Sequence, residues 1–174
     1  MFTSRELSLI VILSALGGAA SVPIGHLGNL LKTVPGAPLG SSQALSGLHV
    51  LWIVLAAMLV RRRGSGAMTG VVKGLVEASL LSFHGIFVIL IASLQGVIVD
   101  LVFIAFRRVN TRSICLAGGL SSASNVIVVQ FILVPGLPMP VLAFMYLASF
   151  ISGALLAGYL CKRVLDVFSS DLST

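Results

Sequence analysis

The sequence contains little charge. Asp, Glu, Lys and Arg make up only 9% of its 174 residues, and Asp and Glu together number 5. Because a soluble domain carries about 25% charged residues, this composition excludes a soluble globular protein. The hydrophobic share of 57% and the mean hydropathy of +1.12 predict an integral membrane protein, with one membrane domain over residues 1–174.

Motifs for catalysis and for metal binding are also missing. The chain has only two cysteines, Cys115 and Cys161, and their spacing fits no metal site. It contains neither a G-x-x-x-x-G-K-[ST] phosphate loop nor a nucleophile elbow. We therefore expect no catalytic residues, no metal, no cofactor of its own and no ATP hydrolysis by this chain.

Long apolar runs dominate what is present. About 20 helical residues are needed to cross a bilayer, and six segments approach or exceed this length. The predicted fold is an all-α membrane protein whose six transmembrane helices cover residues 6–23, 43–60, 66–83, 86–106, 113–134 and 140–161.

The basic residues predict the orientation of these helices. If the chain threads alternately, nine basic residues fall on one side of the membrane, and the connections on the other side carry only Lys32. The nine are Arg5, Arg61, Arg62, Arg63, Arg107, Arg108, Arg112, Lys162 and Arg163. By the positive-inside rule both termini are expected in the cytoplasm. The isoelectric point of about 10.2 therefore requires no nucleic acid. A cleaved signal peptide at residues 5–22 is the alternative interpretation of the first segment.

The connections differ in length. The segment "PIGHLGNLLKTVPGAPLGSS", residues 23–42, contains three prolines and four glycines, which favours a long outer loop over a regular helix. Long loops in compact domains are usually lids or binding loops. In contrast, the outer turn "FHG", residues 83–85, is predicted to be tight, so that segments three and four form an antiparallel hairpin.

Segment three carries charge inside an apolar helix. Small residues recur there every four positions, a spacing that favours close helix packing in lipid: Gly66, Gly70, Gly74, Ala78 and Ser82. Lys73 and Glu77 are also four residues apart and can pair with each other. Counting from the tight turn instead places Lys73 between Gln95 and Asp100 in depth. A structural Lys73–Asp100 pair would then leave Glu77 facing a cavity, and intramembrane ionisable residues are functional candidates.

Other polar and aromatic residues complete the candidate binding set. Asn and Gln side chains in lipid need hydrogen-bond partners, which favours Gln95, Asn125 and Gln130 over single serines. Trp52 could stack on a flat ring. The predicted substrate-binding residues are Glu77, Gln95, His84, Trp52, Asn125, Gln130, Asn29 and His49. Three histidines, at 26, 49 and 84, fall on the outer half, but their spacing does not support a metal site.

Small residues in segment one indicate a docking face. Ala15 and Ala19 are four residues apart, as are Ser14 and Gly18. Such a flat helix face suits close contact with another helix. Its partner could lie within the chain or in another subunit.

Five stretches, in order along the chain, resemble the substrate-binding S components of energy-coupling factor (ECF) transporters of the thiamine or hydroxymethylpyrimidine type. They are "GHLGNLL", "GLVEASLLSFHG", "QGVIVDLVF", "AGGLSSASN" and "ISGALLAGYL". The resemblance implies a plasma-membrane subunit that captures a vitamin-like solute at the outer face. It also implies a transmembrane coupling subunit and two ATPase subunits as partners, and these use the ATP.

The resemblance also implies roles for particular residues. Glu77 and Gln95 match polar positions of the family, and Ala15 and Ala19 match its docking surface for the coupling subunit. The first outer loop is expected to close over the ligand and contains His26, Asn29, Pro35 and Pro38. Phe150 stands where the resemblance leads us to expect an arginine. Two alternatives stay open: an S component for another vitamin or a metal ion, and a stand-alone transporter or channel with Lys73, Glu77 and Asp100 as a polar relay.

Overall fold

A computed structural model describes residues 2–35, 41–80, 85–107, 109–133 and 136–171, with backbone only for 132–133 and 167–171. It is helical throughout most of these ranges. The α-helices are α1 (Ser4–Thr33), α2 (Ser46–Val60), α3 (Ser65–Ser79), α4 (Phe87–Phe106), α5 (Thr111–Val128), α6 (Met139–Ser152) and α7 (Leu160–Asp171). A 3-10 turn (Ser41–Leu45) precedes α2, a π turn (Val129–Leu133) extends α5, and a π segment (Gly153–Tyr159) joins α6 to α7 without a break.

Each of the six predicted segments contains a helix, and among the described residues of segments three and four only Leu80 and Ile86 lie outside it. Five helical stretches there are long and apolar enough to cross a membrane: Ser4–Thr33, Ser41–Val60, Phe87–Phe106, Thr111–Phe131 and Met139–Asp166. The sixth, α3, has 15 residues and therefore a length of roughly 22 Å, less than the hydrocarbon core of about 30 Å.

The predicted long loop at residues 23–42 is wrong in its first half. The helix α1 runs through Pro23 and ends only at Thr33, for a total of 30 residues. Proline removes one backbone N–H but is tolerated in membrane helices when neighbouring elements support the backbone. Here Gly28 is buried and lies against Ser42 of the 3-10 turn, so the 3-10 turn packs on one face of the extension of α1.

The short helix α2 lies in the middle of the bundle. It contacts α1, α3, α4, α5 and α6, and nine of its 15 residues are buried. Val50, Ile53 and Val54 pack with Val99 of α4 and Ile114 of α5 in the main apolar core. Because α2 is surrounded by other helices, it is hydrophobic around its whole circumference.

Glycines set the spacing of two close helix pairs. In the α3–α4 pair, a Cβ on Gly66 would lie 2.7 Å from the carbonyl oxygen of Gly96, and one on Gly70 would collide with that of Ala92. This confirms the glycines of the predicted small-residue face of segment three; Ser82 of that face lies outside the described residues. In the second pair, Gly118 of α5 and Gly153 of the π segment lie backbone to backbone. A larger residue at these positions would push the helices apart.

We call the end of the bundle that carries Arg61–Arg63 and Arg107 the arginine end. The helices α2 and α4 finish there, while α3 and α5 begin there. At the far end of the bundle α1 and α3 end, and α4 and α6 begin.

Candidate functional site

The two charges of α3 are paired with each other. Lys73 Nζ lies 2.7 Å from Glu77 Oε2, and the side chains are only 2% and 5% exposed. Residues four apart on a helix share a face, and this geometry permits the pair. The structure thus decides between the two pairings that the sequence left open, in favour of Lys73–Glu77.

The predicted Lys73–Asp100 pair is wrong because the α3–α4 register differs from the one assumed. Gly66 lies level with Gly96, and Gly74 lies against Ile89. Lys73 is therefore close to the level of Ile89, about three helical turns from Asp100. The helix α3 ends at Ser79 and α4 begins at Phe87; of the predicted turn at residues 83–85, only Gly85 lies within the described residues.

Asp100 instead binds the beginning of α3. Its two carboxylate oxygens accept hydrogen bonds from the backbone N–H groups of Gly66 at 3.0 Å and Ala67 at 2.8 Å. The first N–H groups of a helix have no partner within the helix, and a negative charge there is favourable. Asp100 therefore has the predicted structural role, but its partner is the start of α3 rather than Lys73. Its carboxylate is separate from the Lys73–Glu77 ion pair.

Three predicted binding residues adjoin one stretch of α1. A Cβ on Gly17 would lie 2.8 Å from Trp52 Cβ, and one on Gly18 would lie 3.2 Å from the backbone nitrogen of Glu77. One turn further along α1, Ser21 Oγ lies 2.9 Å from His49 Nδ1. The two glycines thus let α2 and α3 approach α1 closely, and they bring His49, Trp52 and Glu77 to neighbouring levels.

The other predicted binding residues have separate partners. Asn125 Nδ2 lies 3.5 Å from the amide oxygen of Gln43, at the limit of a hydrogen bond. Tyr146 donates its hydroxyl to Gln130 Oε1 at 3.3 Å. Gln95 is buried beside the Gly66–Gly96 contact, towards the arginine end. None of these hydrogen bonds leads to Glu77, so the structure does not join these residues to the group around α1.

The predicted gating residues are only partly loop residues. His26 and Asn29 lie in the extension of α1, where Asn29 Oδ1 accepts a hydrogen bond from Lys32 at 3.1 Å. Pro35 is exposed just after α1. Pro38 of the predicted gate and His84 of the predicted binding set lie outside the described residues.

A buried serine cluster was missed by the sequence analysis. Ser122 Oγ lies 2.7 Å from Ser46 Oγ, which in turn lies 2.9 Å from Ser149 Oγ. Ser152 donates to the carbonyl of Ala44 at 2.6 Å. The cluster therefore fixes the 3-10 turn and the start of α2 to α5 and α6. A single serine usually bonds to its own helix; the only indication of a network was that Ser149 and Ser152 share a face of an apolar helix.

The two faces of α1 have different surroundings. Ser14, Gly17 and Gly18 are buried in the bundle, and Ser14 donates to the Thr69 carbonyl of α3 at 3.1 Å. The side chains of Ala15 and Ala19 are exposed. The small residues at 14 and 18 thus serve packing within the chain, while those at 15 and 19 lie on the outer surface of the bundle.

These helices and the intramembrane ion pair define a multi-pass membrane protein. The family model described as "ABC-type cobalt transport system, permease component" matches residues 5–124. The chain is 30% identical over 165 residues to a Bacillus subtilis (strain 168) protein named "Putative HMP/thiamine permease protein YkoE". The aligned region covers 93% of this chain and 82% of that protein. It also resembles a solved structure titled "Crystal structure of an S-component of ECF transporter", with a TM-score of 0.88 and 28% identity over 98% of this chain and 87% of that chain.

The chain therefore belongs to the family of S components of ECF transporters. It is a multi-pass plasma-membrane protein, and its family and fold are those of transport subunits. As an S component it binds a small-molecule substrate and works with coupling and ATPase subunits.

Proposed function

We propose that the chain captures thiamine or its hydroxymethylpyrimidine precursor at the end of the bundle opposite the arginines. The observation that carries this substrate class is the 30% identity with YkoE over 93% of the chain. We place the arginine end in the cytoplasm because basic residues concentrate on the cytoplasmic side of membrane proteins. Both termini are then cytoplasmic, and the ligand enters near the end of α1.

The residues around α1 suit such a ligand. Trp52 is half-buried and lies against Gly17 of α1. The backbone of Glu77 lies against the next residue of α1, Gly18, and Glu77 is only 4% exposed. An aromatic ring can stack on a pyrimidine, and a carboxylate can accept hydrogen bonds from its amino group. A charge-assisted hydrogen bond of this kind contributes about 1.5–3 kcal/mol. Because Lys73 already pairs with Glu77, the ligand would share this carboxylate with Lys73.

We assign the partner-docking role to the outer face of α1. Ala15 and Ala19 are exposed there, and their small side chains would let a helix of the coupling subunit approach α1 closely. The coupling subunit and two ATPases would then drive release of the solute into the cell. The extension of α1 with His26 and Asn29, and the residues after it with Pro35 and Pro38, would close over the ligand.

A metal ion is the second candidate cargo. The observation that favours it is the description of the matching family model as a cobalt transport system. Within the residues that the structure describes, no group of three or more His, Cys, Asp or Glu side chains forms a metal site. We therefore include Co²⁺ in the binding test and keep the pyrimidines as the leading ligands.

The test is ligand binding to the purified full chain in detergent, followed through Trp52, which is the only tryptophan. Thiamine, hydroxymethylpyrimidine, other vitamins and Co²⁺ would be titrated separately, with calorimetry as an independent readout. We expect saturable quenching by a pyrimidine at nanomolar to low micromolar concentrations. Saturable binding of Co²⁺ or of another vitamin, without binding of either pyrimidine, would assign a different substrate. Absence of a response to both pyrimidines would contradict the proposal.

Two variants test the role of Glu77. Glu77→Gln should weaken pyrimidine binding about tenfold or more, in line with the loss of one charge-assisted bond. This variant also leaves Lys73 without its partner, so the control is the double variant Lys73→Met/Glu77→Met, in which both charges are removed. Loss of binding in both variants supports contact between Glu77 and the ligand. Normal binding by the double variant would restrict Glu77 to neutralising Lys73.

A further inference from the structure

A cavity of about 470 Å³ lies at the arginine end, away from the proposed substrate site. It is formed where α2 and α4 end and where α3 begins. The lining residues are Ala57, Arg61, Arg62, Arg63, Asp100, Phe103, Ile104, Arg107 and Val109. Four arginines from two separate connections thus converge on one space. The positive-inside rule explains why basic residues occur at this end, but it does not require that they share a cavity.

The positive charge of the cavity is only partly neutralised. Arg62 pairs with Glu6 at 2.8 Å, and the two oxygens of Asp100 accept the backbone N–H groups at the start of α3. Arg61 donates through Nε to the Met58 carbonyl at 3.3 Å. The helix ends of α2 and α4 add partial negative charge. In the part of the chain that the structure describes, Arg63 and Arg107 form no hydrogen bond or ion pair. Two exposed guanidinium groups at the cavity are therefore available to an anion.

The backbone at the cavity also favours a role for the arginine side chains. Arg61 and Arg107 have φ angles of 51° and 52°, and they are the only non-glycine residues with positive φ in the described ranges. Each follows the last residue of a helix, where glycine adopts this left-handed conformation with less strain. The sequence nevertheless places an arginine at both helix ends.

One wall of the cavity is apolar and faces outward. Phe103 and Ile104 belong to α4, and the side chains of Ile104 and Val109 are 43% and 45% exposed. The cavity thus combines guanidinium groups with an apolar flank along a membrane helix. A phospholipid has the same division, because a charged phosphate is attached to acyl chains.

We propose that this cavity binds the phosphate head group of an anionic phospholipid, with an acyl chain along Phe103 and Ile104. Arginine forms bidentate hydrogen bonds with phosphate oxygens, and basic pockets between membrane helices bind anionic head groups. Arg63 and Arg107 are the principal ligands. The proposal does not depend on which solute the protein carries.

The experiment is native mass spectrometry of the full chain in detergent, titrated with phosphatidylglycerol or with phosphatidylcholine of the same acyl chains. Wild-type protein should bind phosphatidylglycerol at least about tenfold more tightly than phosphatidylcholine. The variant Arg63→Gln/Arg107→Gly should lose about fivefold in affinity for each arginine removed. Because glycine relaxes the backbone at position 107, this variant should fold, which circular dichroism would verify. The charge-retaining variant Arg63→Lys/Arg107→Lys should keep most of the preference.

The matched control is Arg112→Gln, since Arg112 is exposed near the arginine end but does not line the cavity. It should change phosphatidylglycerol binding less than about twofold if the cavity, rather than general charge, is responsible. The proposal would be overturned if Arg63→Gln/Arg107→Gly bound phosphatidylglycerol as tightly as wild type. It would also be overturned if Arg112→Gln lost as much affinity as that double variant. An affinity for inorganic phosphate equal to that for phosphatidylglycerol would keep the phosphate site and reject phospholipid as its ligand.

Discussion

Lys73 and Glu77 form an ion pair across one turn of α3, with 2.7 Å between Nζ and Oε2 and with both side chains buried. Each charge is tolerated inside the bundle because the other lies beside it. An uncompensated charge in such surroundings is strongly unfavourable. The pair therefore determines the response of this helix to mutation.

We expect either single substitution of the pair to destabilise the protein. Lys73→Met leaves Glu77 unpaired and Glu77→Met leaves Lys73 unpaired, each at a loss of about 3–5 kcal/mol. The double variant Lys73→Met/Glu77→Met should recover most of this loss because no buried charge remains. Thermal unfolding in detergent measures all three variants. If the loss of stability in the double variant equalled the sum of the losses in the two single variants, the two charges would not compensate each other.

Asp100→Asn should weaken the start of α3. The carboxylate accepts two backbone N–H groups, whereas an amide offers one oxygen and turns an N–H₂ group towards the second donor. The expected loss is about 1–3 kcal/mol in unfolding free energy, typical of a buried donor left unsatisfied. The control is Asp166→Asn, whose carboxylate is 56% exposed and 3.9 Å from Lys162; a similar loss there would contradict the capping role of Asp100.

Gly96→Ala should separate α3 from α4. The added methyl group would collide with the Gly66 carbonyl oxygen, and the expected cost of overpacking is about 1–3 kcal/mol. In Gly28→Ala the methyl group would lie at 3.4 Å from Ser42, an ordinary contact, so this control should be neutral or slightly stabilising. Equal melting temperatures for the two variants would contradict the assigned close contact.

Ser149→Ala should loosen the 3-10 turn before α2. The hydroxyl of Ser149 lies 2.9 Å from Ser46 Oγ and donates to the Ser122 carbonyl at 2.8 Å. Its removal should cost about 1–3 kcal/mol because buried partners lose their hydrogen bonds. Ser79→Ala is the control, since the exposed Ser79 hydroxyl donates to the Val76 carbonyl of its own helix. Proteolysis and thermal unfolding would measure both, and an equal effect would argue against a clustered role.

Ala15→Leu/Ala19→Leu should impair assembly with the coupling subunit without affecting solute binding. Both residues lie on the exposed face of α1, where larger side chains would keep a partner helix at a distance. Co-purification with co-expressed coupling and ATPase subunits measures the effect. Ala105→Leu, at an exposed position of α4, is the matched control. Normal assembly of the double variant would place the docking surface elsewhere.

The sequence alone determined the class of protein and most of the helices. Hydropathy identifies membrane segments because a backbone in lipid must satisfy its hydrogen bonds internally, and a helix does so within one segment. The glycine spacing of α3 likewise predicted a close helix contact, which the Gly66–Gly96 approach confirms.

The tertiary structure decided which residues meet. The partner of Lys73 depended on the register between α3 and α4, which the Gly66–Gly96 contact fixes. The tight turn assumed from the sequence had shifted this register by more than one turn of helix. The extension of α1 through Pro23 to Thr33 packs on the 3-10 turn at Gly28, a contact between separate segments. The grouping of Trp52 with Glu77, and the convergence of Arg63 and Arg107 on one cavity, join residues from separate helices. Local patterns do not encode these distances, because packing between distant segments sets them.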